Sequence, residues 1–259
     1  MTAVALSIAG SDPSGGAGIQ ADLKTFQAHG VYGCAAVTLI TAQNTLGVRA
    51  LSVLPGELLA QQLDVLFEDF LPNAVKTGAL GSVQHVELIA ERCKRHGLAL
   101  VVDPVMRSKT AAVLLEDAAS VALRAHLLPL ARLVTPNLDE AAALLGKPVT
   151  TAAQIEDAAR ELVDLGAQAA LIKGGHRQGA PVDVLYVGGD LHELHGTRIA
   201  TRHTHGLGCT LSAAITARLA LGQDLLGACI AAKAWLARAI ASAPGIGHGQ
   251  GPVNHLEPV

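Results

Sequence analysis

Aromatic residues and cysteines are scarce in this chain of 259 residues. It contains three Phe, two Tyr and one Trp, although half of its residues are hydrophobic. The core must therefore be built from aliphatic side chains and alanine, which let helices pack closely on a sheet. The four cysteines, Cys34, Cys93, Cys209 and Cys229, lie far apart and form no C-x-x-C pair. This spacing argues against a disulfide framework and a zinc site, and it fits a reducing cytoplasm.

Charge is also sparse and nearly balanced. The chain has 19 basic and 22 acidic residues, and the basic residues are scattered, so no nucleic-acid partner is expected. No uncharged apolar run is long enough to cross a bilayer. The apolar run at residues 4–9 lacks the preceding basic residue of a signal peptide, and Asp12 follows too soon. We therefore expect a cytoplasmic protein without a membrane partner.

Two common nucleotide-binding signatures are incomplete or missing. Gly16, Gly18 and Ala21 match a loose form of the dinucleotide fingerprint, but no Asp or Glu occurs between Leu23 and Gly56. A ribose-binding acid should stand in that interval, so the sequence argues against a dehydrogenase. The chain also lacks any Gly-Lys-Ser or Gly-Lys-Thr sequence. A P-loop is therefore excluded.

Short apolar strands alternate with helices along most of the chain. Strands are predicted at residues 4–8, 31–41, 48–54, 74–77, 98–102, 133–134 and 169–172, with a hairpin at 182–187 and 191–194. Helices are predicted at residues 18–29, 57–71, 139–145, 211–219 and 224–242, and after the capping residues Ser82 and Thr151. The helix at 57–71 is expected to face the core with Leu59, Leu63, Leu66 and Phe70. This pattern indicates a mostly parallel α/β sheet covered on both faces. The length predicts a single domain, residues 1–259, with an irregular tail at 245–259.

Polar residues follow the predicted strands. Asp103, Asn137 and Lys173 each come directly after an apolar run or close to its end, and Glu140 stands one helical turn past Asn137. Ligands of such sheets bind outside the carboxyl ends of the strands. We therefore expect these side chains to converge on one cleft.

The stretch at residues 204–210 (THGLGCT) is the strongest candidate for a catalytic element. Gly206 and Gly208 precede a small-residue helix, and backbone N–H groups at a helix N-terminus bind anions. Cys209 would lie in the first turn, where the helix dipole is expected to lower the pKa of its thiol. The alternative interpretation is a tight entry to a buried helix, with Cys209 as a small core residue.

Gln43 is a candidate for recognition of a heterocyclic ring. It lies at the end of a predicted strand, in the segment at residues 41–45 (TAQNT), and its amide offers a donor beside an acceptor. The alternative interpretation is a turn capped by its own side chains.

The whole chain resembles the hydroxymethylpyrimidine/phosphomethylpyrimidine kinase family of thiamine biosynthesis, in the ribokinase superfamily. The resemblance implies a ribokinase-like three-layer α/β/α sandwich, a homodimer, and ATP and Mg²⁺ as cosubstrate and metal. The implied reaction is phosphorylation of 4-amino-5-hydroxymethyl-2-methylpyrimidine and then of its monophosphate. The matching stretches, in family order, are residues 9–22 (AGSDPSGGAGIQAD), 41–45 (TAQNT), 102–106 (VDPVM), 135–140 (TPNLDE), 173–176 (KGGH) and 204–210 (THGLGCT).

The resemblance also implies roles for individual residues. Cys209 would stand where most ribokinase-like enzymes carry an aspartate base, and it would act with the backbone of Gly206 and Gly208. The residues implied for the pyrimidine are Gln43, Asp22 and Gly10. The residues implied for ATP are Lys173, Asn137, Gly206 and Gly208, and those implied for Mg²⁺, through water, are Glu140 and Asp103, together with Asn137.

Two residues depart from the family pattern. Leu207 replaces the usual Thr of the anion loop, which removes one hydroxyl but leaves the backbone N–H groups. Ala79 replaces the usual Met, which widens the ring pocket and makes a pyridoxal kinase of the same superfamily the alternative. A nucleotide-binding protein without catalysis is a further alternative, but it would not need Cys209 in an anion site.

Overall fold

The apolar runs form one nine-stranded sheet in the computed structural model, which describes residues 2–106, 114, 115, 117–175 and 180–259. His176 of the KGGH stretch lies outside the described residues. The strands are β1 (Val4–Ser11), β2 (Tyr32–Asn44), β3 (Gly47–Val53), β4 (Ala74–Thr77), β5 (Leu100–Val102), β6 (Ala131–Val134), β7 (Ala169–Ile172), β8 (Val182–Val187) and β9 (Asp190–His195). The helices are α1 (Gly18–Ala28), α2 (Gly56–Asp69), α3 (Val83–Arg95), α4 (Asp117–Ala122), α5 (Leu138–Leu145), α6 (Ala152–Asp164), α7 (Leu207–Ala220) and α8 (Leu225–Ala241). Within these described ranges, no helix is both long and apolar enough to cross a bilayer.

The order of the strands across the sheet is β3-β2-β1-β4-β5-β6-β7-β8-β9. In this order, the neighbouring strands β2, β1, β4, β5, β6 and β7 run parallel to one another. Strand β3 at one edge and the β8–β9 hairpin at the other pair antiparallel. The chain leaves β1 for β2 on one side and later returns to β4 on the other side. Ligand clefts of open α/β sheets form at such a reversal, outside the carboxyl ends of the strands. The predicted mostly parallel sheet is confirmed.

Helices cover both faces of the sheet. Helices α1, α7 and α8 pack on one face around Phe26 and Trp235, and α2 to α6 cover the other face. On the first face Ala213, Ala214 and Ala217 of α7 are fully buried. Their small side chains let the helix lie close to the sheet. The three-layer α/β/α sandwich is therefore confirmed.

Three details of the predicted elements are different in the structure. Strand β1 continues to Ser11, because a register shift near its end keeps it paired with β2. Strand β2 continues to Asn44, since its polar end pairs with β3, so Gln43 stands in a strand and not in a turn. Helix α2 buries Phe67 instead of the predicted Phe70, because the helix ends at Asp69 and Phe70 is extended.

The tail at residues 245–259 is irregular but is held by hydrogen bonds to other segments of the chain. The Gln250 N–H donates to the Thr45 carbonyl at 2.9 Å, and the His205 N–H donates to the Gly251 carbonyl at 3.1 Å. A Cβ at Gly249 would lie 2.1 Å from the Thr45 oxygen, so the approach requires glycine. The tail therefore ties the β2–β3 turn to the loop before α7.

Candidate active site

A cleft of about 1300 Å³ opens along the carboxyl ends of the parallel strands, where the reversal of strand order predicts it. The N-terminus of α7 faces the same cleft. All but one of the predicted site residues line it. These are Gly10, Gln43, Asp103, Asn137, Glu140, Lys173, Gly206, Gly208 and Cys209.

The loop before α7 forms an anion cradle. Gly206 has a φ of 74°, and a Cβ there would lie 1.9 Å from the Gly16 carbonyl oxygen, so only glycine fits. Helix α7 therefore begins at Leu207 and not at the predicted Leu211. The N–H groups from Leu207 to Cys209 stand in the first turn, where they have no acceptor within the helix, and the helix dipole adds positive charge there. The site can thus hold a phosphate group.

A lysine and two carboxylates lie beside the anion cradle. Lys173 Nζ lies 3.0 Å from Asp103 Oδ1 and 3.8 Å from Glu140 Oε2. A Cβ at Gly208 would lie 3.1 Å from Lys173 Nζ, so the ammonium group lies against the first turn of α7. Burial alone would lower the pKa of Lys173, but the charges of Asp103 and Glu140 outweigh it and raise the pKa. Lys173 is therefore a cation at physiological pH.

Asn137 and Glu140 close the N-terminus of α5 with a capping box. Asn137 Oδ1 accepts from the Glu140 N–H at 2.9 Å, and Glu140 Oε2 accepts from the Asn137 N–H at 2.8 Å. Both side chains therefore have a structural contact that the sequence analysis did not predict. Burial raises the pKa of Glu140 to about 7; Lys173 opposes the rise and Asp103 adds to it. Glu140 thus titrates near neutral pH in this site.

Cys209 lies at the cleft in the third position of α7. The prediction that its thiol has a lowered pKa is wrong, because burial raises the pKa of Cys209 to about 11. The charge of Lys76 lowers this pKa, but Asp22 and Asp103 raise it. The position at the helix N-terminus does not overcome the burial, and the thiol is neutral near pH 7.

Asp22, which the resemblance assigns to the pyrimidine, lies beneath the cleft and is fully buried. Its Oδ1 accepts from Lys76 Nζ at 2.8 Å, and its Oδ2 accepts from Ser7 Oγ at 2.5 Å. A direct contact between Asp22 and a substrate is contradicted by this burial. The partner Lys76 was missed, although a single charge within the apolar run of β4 was a signal for a buried ion pair.

Asp12 and His205, which the sequence analysis did not single out, lie beside Gln43. His205 Nε2 lies 2.7 Å from Asp12 Oδ2 and 3.1 Å from Gln43 Nε2. Burial alone would raise the pKa of Asp12, but hydrogen bonds from His205 and Ser14 lower it. Both missed residues stand in stretches that carry the family resemblance, which was the available signal.

The fold and the cleft define a ribokinase-like kinase. The description "Phosphomethylpyrimidine kinase" belongs to a family model that matches residues 12–254. The chain is 48% identical over 258 residues to the hydroxymethylpyrimidine/phosphomethylpyrimidine kinase of Synechococcus elongatus. The match covers 99% of this chain and 98% of that protein. A protein of the same description from Bacillus subtilis is 43% identical over 255 residues, covering 97% and 94% of the two chains. The chain belongs to the phosphomethylpyrimidine kinase family.

Solved structures of two kinds of kinase share the fold. The ADP complex of Bacillus subtilis pyridoxal kinase has a TM-score of 0.92 and 40% identity, and it covers 99% of this chain and 98% of that chain. The phosphomethylpyrimidine kinase of Clostridium difficile has a TM-score of 0.83 and 41% identity, with coverage of 92% and 100%. The backbone fold is therefore shared by a pyrimidine kinase and by a pyridoxal kinase, and it is compatible with both the main functional prediction and its alternative. The family match favours the pyrimidine kinase.

Proposed function

We propose that this kinase uses ATP to phosphorylate 4-amino-5-hydroxymethyl-2-methylpyrimidine, and then phosphorylates the monophosphate to the diphosphate, in thiamine biosynthesis. The observation that carries the proposal is one cleft with two complementary parts. The Gln43 amide can pair with the edge of a ring, and the anion cradle with Lys173 can hold phosphate groups. The names of the curated relatives support the same substrates.

The nucleotide phosphates are proposed to lie between Lys173, Asn137 and the backbone from Gly206 to Cys209. The ADP complex of a related pyridoxal kinase supports a nucleotide in this fold. Negative charge on the transferred phosphoryl group is spread over its oxygens, and fixed N–H donors and a cation stabilise it. The first turn of α7 supplies the N–H donors and Lys173 supplies the cation. The two lie directly against each other, so both can contact the same phosphoryl group.

The carboxylates of Asp103 and Glu140 fit a Mg²⁺ ion held through water. Oxygen ligands suit Mg²⁺, which keeps several of its waters. Lys173 Nζ lies close to one oxygen of each carboxylate, at 3.0 and 3.8 Å, so it competes with direct coordination of the metal. When bound, the ion would neutralise charge on the phosphate oxygens.

Cys209 is proposed as the base of the first phosphorylation only. The first acceptor is a neutral alcohol whose proton must be removed, whereas the second acceptor is a phosphate that is already ionised near neutral pH. A permanent carboxylate at this position would repel the second acceptor. The thiol, whose pKa is raised to about 11, is mostly neutral near pH 7 and avoids this repulsion. In the first step its small thiolate fraction takes the proton of the alcohol and becomes the thiol.

Pyridoxal phosphorylation is the second candidate function. Ala79 lines the cleft at a position where the family usually has Met, so the pocket has room for a differently substituted ring. The similarity to the Bacillus subtilis pyridoxal kinase supports the same alternative. The family match and the curated relatives favour the pyrimidine.

Product analysis tests the proposed function. The purified protein receives ATP and Mg²⁺ with the hydroxymethylpyrimidine, its monophosphate or pyridoxal in parallel reactions, and mass spectrometry identifies the products. We expect the pyrimidine diphosphate from both pyrimidine substrates. Phosphorylation of pyridoxal alone, or nucleotide binding without transfer to any acceptor, would contradict the proposal.

We also propose a cytoplasmic homodimer. The apolar side chains of Ile40, Leu51 and Val53 on β2 and β3 are 49%, 37% and 38% exposed, and a second copy would cover this edge of the sheet. The four cysteines are free thiols, which suits a reducing compartment. Light scattering after gel filtration measures the assembly, and a monomeric mass at micromolar concentration would contradict the dimer.

A further inference from the structure

The Asp12 carboxylate determines where His205 carries a hydrogen. Asp12 Oδ1 accepts from the Ser14 N–H at 2.9 Å and the Ser14 hydroxyl at 2.7 Å, and Oδ2 accepts from the Ala17 N–H at 2.9 Å. These donors hold Asp12 as an anion without a hydrogen of its own. Oδ2 lies only 2.7 Å from His205 Nε2. Nε2 must therefore carry the hydrogen and donate it, whether the ring is neutral or charged.

The hydrogen on His205 decides which end of the Gln43 amide faces it. The Nε2 position of Gln43 lies 3.1 Å from His205 Nε2, and the Oε1 position lies 3.3 Å from Thr41 Oγ1. Two N–H donors cannot bond to each other, and a half-turn of the last torsion exchanges the two ends of an amide. The network is satisfied when Gln43 Oε1 faces His205 and Gln43 Nε2 faces Thr41.

Thr41 leads independently to the same orientation. Its Oγ1 lies 3.0 Å from the Ser11 carbonyl oxygen, which can only accept. The single hydroxyl hydrogen is therefore used on Ser11. Toward Gln43, the Thr41 oxygen is then an acceptor and requires an N–H donor.

The surroundings prevent His205 from turning away from this network. The residue is 7% exposed, and a Cβ at Gly16 would lie 2.5 Å from the His205 Cδ2 atom. Its backbone N–H is held by the Gly251 carbonyl of the tail. The imidazole therefore holds its single Nε2–H toward Asp12 at 2.7 Å, with Gln43 at 3.1 Å as a second, weaker acceptor, in a fixed geometry.

We propose that His205, held by Asp12, is a positioning residue that fixes the Gln43 amide with its acceptor on the histidine side and its donor on the Thr41 side. This inference rests on the proposed function. The ring must offer the opposite order, a donor toward His205 and an adjacent acceptor toward Thr41. The amino group and the neighbouring ring nitrogen of a 4-aminopyrimidine have this order.

The fixed amide makes the site selective among related rings. A 4-oxopyrimidine presents a carbonyl oxygen and a ring N–H, which is the reverse pattern, and pyridoxal has no amino group next to a ring nitrogen. The hydroxymethyl group must point toward the anion cradle, so the ring cannot turn over to restore the match. Each hydrogen bond left unmade costs about tenfold to a hundredfold in affinity. We therefore expect the 4-amino ring to bind at least about a hundredfold more tightly than its 4-oxo analogue.

The test measures this affinity ratio by calorimetry with the full-length protein. His205→Phe keeps a ring of similar size but removes the N–H, so Gln43 is free to rotate, and the ratio should fall at least tenfold. The matched control is His255→Phe, which changes another histidine with 6% exposure that contacts Thr210 Oγ1 at 3.1 Å. The control should keep the wild-type ratio.

If His205→Phe does not fold, a second variant and a second measurement still test the inference. Thr41→Val removes the other contact of the amide and should lower the ratio by a smaller factor. Nitrogen NMR of wild type should show the hydrogen of the His205 ring on Nε2. An unchanged ratio in His205→Phe or Thr41→Val, or an Nε2 without hydrogen, would overturn the inference. If wild type binds ATP but neither pyrimidine, the proposed function fails, and this inference fails with it.

Discussion

Two buried lysine–aspartate pairs lie at neighbouring parts of the sheet and have different surroundings. Lys76 Nζ lies 2.8 Å from Asp22 Oδ1, and Lys173 Nζ lies 3.0 Å from Asp103 Oδ1. The first two side chains have no exposed surface, whereas the Lys173 side chain is 15% exposed. Lys76 is inside β4 and meets an acid from α1, but Lys173 stands one residue past the end of β7. A lysine–aspartate pair is therefore structural when its lysine lies within a strand, as Lys76 does. It is available to a ligand when its lysine lies just past the end of a strand, as Lys173 does.

Cys209 lies within the electrostatic influence of both pairs. Burial is the largest cause of its raised pKa, Lys76 opposes the rise, and Asp22 and Asp103 add to it. The protonation of the thiol therefore depends on charges from α1, β4 and the end of β5. Variants of the two pairs can separate stability from catalysis.

Lys76→Met should give the largest loss of stability. It leaves the carboxylate of Asp22 buried and unpaired, which costs about 3–5 kcal/mol of unfolding free energy. Denaturant unfolding measures the change. Adding Asp22→Leu to the same chain removes the stranded charge and should recover most of the loss. A single variant as stable as wild type would show that the pair is not structural.

Cys209→Ala should lower the first phosphorylation by about 10²–10⁴-fold, the range for loss of a general base, and the second much less. In wild type, the first step should accelerate from pH 7 to pH 9, because the thiolate fraction increases as the pH approaches the Cys209 pKa of about 11. The two reactions are assayed separately, with Cys229→Ala as a control for a buried cysteine outside the cleft. Equal losses in both steps would mean that Cys209 shapes the anion cradle and moves no proton.

Lys173→Met should lower the rate of phosphoryl transfer by about 10²–10³-fold, because it removes a fixed charge beside the anion cradle. Its effect on stability should be smaller than that of Lys76→Met, since Lys173 and Asp103 both line the cleft. Steady-state kinetics and denaturant unfolding of both variants make the comparison. If the two lysines had the same effects on rate and stability, the distinction between the pairs would be lost.

Gln43→Ala should weaken pyrimidine binding by about 1–3 kcal/mol, because it removes the amide that pairs with the ring. The ATP affinity should stay the same, because the Gln43 amide contacts Thr41 and His205 and belongs to a different set of contacts from the lysine–carboxylate cluster. Calorimetric titration with each ligand gives the two affinities. An unchanged pyrimidine affinity would show that Gln43 only completes the pairing of β2 with β3.

Glu140→Gln should have the smallest effect, a raised Mg²⁺ requirement. Gln keeps the capping contact to Asn137 and removes only the charge. Since the pKa of Glu140 is about 7, wild type should need more Mg²⁺ below pH 7, by up to about tenfold per pH unit, and less above it. The variant should lose this part of the pH dependence. An identical Mg²⁺ requirement of both proteins at pH 6 and pH 8 would remove the proposed metal role.

The sequence predicted most elements of the fold because their signals are local. The apolar run of β7 and the capping box of Thr151 with Gln154 are found where they were predicted. The same reasoning missed the capping box of Asn137 and Glu140, although its residues have the same spacing, because the resemblance assigns Asn137 to ATP and the metal, and Glu140 to the metal. It also placed Phe70 in the core of α2, because the end of that helix carries no glycine or capping signal.

The sequence by itself determined the alternation of strands and helices, the polar residues at the strand ends and the glycine loop before α7. These features depend on neighbours a few residues away, through the periods of strand and helix and the freedom of glycine. Only the tertiary structure decided that Asp22 is covered, that Cys209 is a neutral thiol and that Asp12 orients His205. Those properties depend on burial and on short distances between segments far apart in the chain, such as the 193 positions that separate Asp12 from His205.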